Sequence, residues 1–92
     1  MYIIVCYDVV QDRRRTRLLN RLRGELEHVQ RSVLEGEVSE RGYLELMEDV
    51  RRIIDLQTDT VRVYRACQRC QTSFEHLGTA WEVDVSGDDI II

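Results

Sequence analysis

Residues 1–10, MYIIVCYDVV, constrain the fold more than any other stretch of the chain. From Tyr2 to Val10 the run is β-branched or aromatic, apart from Cys6 and one ionisable residue, Asp8. A strand that is apolar on both sides belongs in the middle of a sheet, with helices over one face and a different cover over the other. An unpaired carboxylate is costly to bury, so Asp8 must lie near an opening, accept hydrogen bonds or hold a cation. Close behind it Arg13, Arg14, Arg15, Arg17, Arg21 and Arg23 fall within eleven positions. One acid at a strand's end beside a basic helix start is the strongest functional signal in the sequence.

A chain of 92 residues makes one domain. At that size the core is marginal, and a dimer would help to cover it. There is no transmembrane run, so no membrane partner is expected. No basic segment precedes the strand at Tyr2, which predicts a protein without a cleaved signal peptide, located in the cytoplasm. Cys6, Cys67 and Cys70 are too few for a disulfide framework and suit a reducing compartment.

The net charge of −4 argues against indiscriminate nucleic-acid binding, yet all 13 basic residues are arginine. Arginine presents a planar fork that matches phosphate, where lysine offers a point charge. A genome biased toward arginine codons would give the same composition. Net charge therefore describes solubility, and the local patch describes a partner.

Asp12 is placed to cap a helix over residues 13–25, with Leu18, Leu19, Leu22 and Leu26 on one face. Arg13, Arg17 and Arg21 stand one turn apart as a polar stripe, suited either to a nucleic-acid backbone or to the chain's many acids. Residues 28–38, HVQRSVLEGEV, read as one bent strand or as two short strands joined at residues 30–32, with Gly36 permitting a bulge or a close approach. Ser39 caps a second helix over 40–54, apolar along Tyr43, Leu44, Met47, Val50 and Ile54 and acidic outside. A strand follows over 60–64, with Val61 and Val63 on one face and Arg62 and Tyr64 on the other. The last expected strand is 80–85, ahead of the apolar tail Ile90, Ile91 and Ile92.

With a split hairpin in the middle this order is βαββαβ, an α+β ferredoxin-like sandwich with an additional C-terminal strand. Residues 1–78 form the core and 79–92 the added strand and tail. Both helices cover one face of an antiparallel sheet. The other face of the first strand stays apolar, which is the physical case for a face-to-face homodimer.

Asp8 admits two readings. Its oxygens suit a divalent cation such as Mg2+, which assists phosphodiester cleavage, and two copies of Asp8 in a dimer would share one ion. Alternatively, Asp8 accepts backbone N–H groups at the strand-to-helix turn. Tyr7, on the opposite face of the strand, either stacks on a base or packs. Cys67 and Cys70 form a lone CxxC without the further ligands that structural zinc requires.

The stretches MYIIVCYDVVQDRRRTRLLNRL, HVQRSVLEGEV and DTVRVYRACQRC resemble the small universal CRISPR-associated protein of spacer acquisition, a CRISPR-associated endoribonuclease family. The resemblance spans about residues 1–78. It rests on a strand ending in YD, on D-x-x-R-x-R from Asp12 to Arg17, and on V-Q-x-S-V from Val29 to Val33. It implies a ferredoxin-like fold, a homodimer, and strand-end aspartates facing one another near the two-fold axis. Carried across, Asp8 matches the family's metal-binding and catalytic aspartate and Tyr7 the residue before it. Arg15 and Arg17 match arginines implicated in nucleic-acid contact, and Ser32 the serine of the central motif. Arg14 joins the expected nucleic-acid surface as part of the same cluster. Leu34 stands where many members have phenylalanine and His28 where some have arginine, departures that bear on nuclease activity more than on fold. The resemblance also implies a CRISPR integrase as partner, with double-stranded DNA or single-stranded RNA as the nucleic acid. Two roles are open. One is a DNA-binding adaptor bridging integrase subunits, and the other is a Mg2+-dependent endonuclease.

Overall fold

The apolar N-terminal run becomes β1, Tyr2–Asp8, in a computed structural model that describes residues 1–67 together with Glu75 and Leu77. The strand stops at Asp8, as expected of an acid at the strand's end, and the chain then turns into α1, Asp12–Arg23. There follow β2 (Glu27–Gln30), β3 (Val33–Glu37), α2 (Glu40–Ile53) and β4 (Thr60–Ala66). The sheet runs β2-β3-β1-β4, and every neighbouring pair is antiparallel. β1 is therefore central, as its sequence requires, and the βαββαβ ferredoxin-like order holds. The expected strand over 80–85, the isoleucine tail, Cys70 and His76 lie outside the described residues.

Alternation along β1 sorts its side chains into two sets. Ile3, Val5 and Tyr7 are buried beneath the helices, where Leu18, Leu19 and Leu22 of α1 and Leu46, Met47 and Val50 of α2 complete the core with Leu34 of β3. Tyr2, Ile4 and Cys6 lie on the other face and are only half-buried, with Asp8 exposed at the end of the same row. Cross-strand register adds Val33 and Glu35 from β3 and Arg62 and Tyr64 from β4 to that open face.

Two local expectations are corrected. Asp12 does not cap α1. It is the first helical residue and pairs with Arg15 one turn on, while Gln11 occupies the cap without a side-chain bond. Of the two readings of Gly36, the bulge is not found there and lies in β2, between His28 and Gln30. Gly36 serves close approach: a Cβ there would sit 3.2 Å from Leu26 Cδ2. Ser39 caps α2 as expected, accepting the Gly42 N–H at 2.9 Å.

Candidate nucleic-acid interface and strand-end acid

Four elements converge at one end of the sheet. β1 finishes there at Asp8, α1 begins there, and Thr60 of β4 stands across from Asp8. The β2–β3 hairpin tip is tied to the same end, where Ser32 O accepts the Tyr7 N–H at 3.1 Å. A cavity of about 70 Å³ opens here, lined by Tyr7, Asp8, Val9 and Arg15. A wider hollow of about 450 Å³ has Gln30, Arg31, Ser32 and Val33 in its lining.

Asp8 is exposed, and among the described residues no hydrogen bond or ion pair engages its carboxylate. The turn's N–H group that Asp8 was placed to accept is taken by a different acid. Val10 N donates to Asp59 Oδ1 at 3.1 Å. Asp59 comes from the loop before β4, and its side chain is fully buried. The Arg14 guanidinium beside it, with the Asp55 and Val10 N–H groups, holds its carboxyl well below the usual carboxylate range against the opposing effect of burial.

The arginine cluster divides by direction. Arg14 is bound bidentately by Asp59, Nε to Oδ2 at 2.9 Å and Nη2 to Oδ1 at 3.3 Å, and also reaches Gln11. Arg15 is largely buried, donating to Val9 O at 2.7 Å and pairing with Asp12. Arg21 turns toward α2 and meets Asp49 at 2.7 Å. Arg13 and Arg17 point outward, and among the described residues neither makes an ion pair. The expected stripe of Arg13, Arg17 and Arg21 therefore loses its last member, because eight residues at 3.6 per turn rotate a side chain by about 80°.

The remaining expected site residues fall as follows. Tyr7 is buried in the core, its hydroxyl 3.4 Å from Arg31 O, and burial pushes the phenol up despite nearby Arg15 and Arg23. Its ring packs and is not presented to a base, which corrects the stacking reading. Ser32 is half-buried at the hairpin tip. Arg31 beside it is exposed and belongs to the same end of the sheet, a candidate the sequence reading passed over. Asp59 was missed as well, since nothing in its own neighbourhood distinguishes it from an ordinary loop acid.

Among the described residues no group of three or more His, Cys, Asp or Glu could hold a metal ion. At this end of the sheet, among the described residues, Asp8 offers a hard cation an unengaged carboxylate, and that donor type fits Mg2+. No described helix is long and apolar enough to cross a membrane.

The sequence profile of the family described as CRISPR associated protein Cas2 matches residues 1–73. A CRISPR-associated endoribonuclease Cas2 of Thermotoga maritima is 41% identical over 78 residues, covering 85% of this chain and 88% of the relative. CRISPR-associated endoribonuclease Cas2 1 of Chloroflexus aurantiacus is 31% identical and aligns over the whole of both chains. Among solved structures, Streptococcus pyogenes Cas2 superposes with a TM-score of 0.76 at 28% identity, over 85% of this chain and 100% of that one.

Proposed function

Because the chain belongs to the Cas2 family, we propose that it acts as a homodimeric nucleic-acid-binding component of CRISPR spacer acquisition, bridging integrase subunits and supporting duplex DNA. The observation that carries this reading is the outward placement of Arg13 and Arg17 while Arg14, Arg15 and Arg21 are held by the protein. Guanidinium groups without internal partners suit a phosphate backbone, and such contacts position a duplex without reading its bases. The half-buried Ile4 and Cys6 in the middle of the open sheet face support a second copy as its cover. Binding of a blunt duplex should weaken steeply as salt rises. An affinity independent of salt would remove the phosphate-contact account.

A second reading is favoured by the unengaged Asp8 carboxylate, and by relatives named as endoribonucleases. In it the protein is a Mg2+-dependent endonuclease acting on single-stranded RNA or double-stranded DNA. Asp8 would hold the ion together with the partner subunit's Asp8, and bound Mg2+ would polarise a phosphoryl oxygen. The chain's own part is to bring two carboxylates together at the strand end and to hold the polynucleotide on its outward arginines. Asp8→Asn should abolish cleavage while leaving duplex binding within about twofold. Cleavage that survives this substitution would assign the activity elsewhere.

A further inference from the structure

The turn that follows Asp8 is held from a distant part of the chain, and this bears on what Asp8 is free to do. Short acidic side chains beside a turn commonly accept its backbone N–H groups, which ties the carboxylate down. Here the Val10 N–H goes to Asp59 Oδ1 at 3.1 Å. The same carboxylate receives Arg14 Nε at 2.9 Å, the Asp55 N–H at 2.9 Å and the Thr58 hydroxyl at 3.2 Å. Asp59 thereby joins the β1–α1 turn, the first turn of α1 and the loop before β4. Its next residue, Thr60, is the cross-strand neighbour of Asp8.

We propose that Asp59 is a positioning residue for Asp8. It accepts the turn N–H that Asp8 would otherwise take, fixes the turn in place, and so leaves the Asp8 carboxylate available to a divalent cation. This rests on the reading of Asp8 as an ion-binding acid. Arg14 is then the cation of the clasp and not a phosphate contact. A clasp of this kind serves the site because it immobilises the acid's backbone without drawing on the acid itself.

The test uses the full chain, isotope-labelled, as wild type, Asp59→Asn and the neutral pair Arg14→Gln/Asp59→Asn, with Arg52→Gln as a remote control. Two readouts are taken: hydrogen exchange at the Val10 amide, and the Mg2+ concentration needed to shift the Asp8 carboxyl carbon resonance. In Asp59→Asn the Val10 amide should exchange roughly ten- to a hundredfold faster. The Mg2+ requirement at Asp8 should rise about tenfold. The Arg52→Gln chain should change neither. If Asp59→Asn fails to fold, the neutral pair carries the test, since it leaves no buried charge unpaired. An Asp8 resonance that responds to Mg2+ equally in wild type and in a folded clasp variant overturns the positioning role alone. An Asp8 resonance that ignores Mg2+ in wild type overturns the metal reading, and the positioning role with it, whatever Val10 does.

Discussion

Arg14 and Asp59 meet across 45 positions of sequence, Nε to Oδ2 at 2.9 Å, and their contact ties the first turn of α1 to the loop before β4. The pair is fork-to-carboxylate, the geometry in which a guanidinium binds an acid most strongly. Because the Asp59 side chain is fully buried, loss of its partner leaves a charge that water cannot reach. Arg14→Gln should therefore lower Tm by about 5–10 °C. Thermal unfolding followed by circular dichroism measures it, and an unchanged Tm would show that the pair contributes nothing net.

The same pair fixes a pH dependence. Asp59's carboxyl titrates below its ordinary range in the folded chain. A depressed folded-state value means that its stabilisation is complete above the unfolded value, about 4, and is lost as pH falls below it. Asp59→Asn should flatten the fall in stability between pH 4 and pH 2 relative to wild type. Urea unfolding across that range tests the sign.

Tyr2 offers a prediction at the other end of the scale. Its hydroxyl donates to Glu35 at 2.6 Å, and burial together with Glu35 pushes the phenol up to about 12. The phenolate's absorbance should therefore appear well above pH 10, and Glu35→Gln should bring Tyr2 back toward the other tyrosines. The stabilisation attached to this proton is complete below about pH 10 and disappears as pH rises toward 12. An unchanged titration in Glu35→Gln would contradict the assignment.

Leu34 of β3, the cross-strand neighbour of Val5, is fully buried in the core. Leu34→Ala should cost about 2–5 kcal/mol, since transfer energy and the residual cavity add. Denaturant unfolding would report it, and a loss under about 1 kcal/mol would mean that the core closes over the gap.

Much of this architecture was legible from period alone. The leucines of α1 and, on α2, Met47 and Val50 recur at helical spacing, although Leu44 is exposed and Leu46 enters the core in its place; the two-sided apolar run of β1 demanded a central strand. The hairpin was harder. Between His28 and Gln30 a bulge shifts the register, so the alternation that marks a strand breaks where it was being read. The arginine cluster misled for a related reason. Consecutive helical residues lie about 100° apart, so Arg13, Arg14 and Arg15 face three ways and only Arg13 stays in solvent. Asp8 stood out in the sequence as a candidate acid, but the freedom of its carboxylate did not, since the turn N–H beside it is taken by Asp59, which local spacing does not connect to it.

The division of the arginines is the centre of the account, and the salt dependence of duplex affinity tests it most directly. Titrations of wild type, Arg17→Gln and Arg14→Gln against the same duplex across a range of salt give log Kd against log salt for each chain. Each phosphate contact removed should reduce the slope by about 0.9, and Arg17→Gln removes up to two per dimer. Arg14→Gln should leave the slope unaltered, because its guanidinium is engaged by Asp59 and makes no phosphate contact. A slope that falls for Arg14→Gln and stays fixed for Arg17→Gln would contradict the assignment.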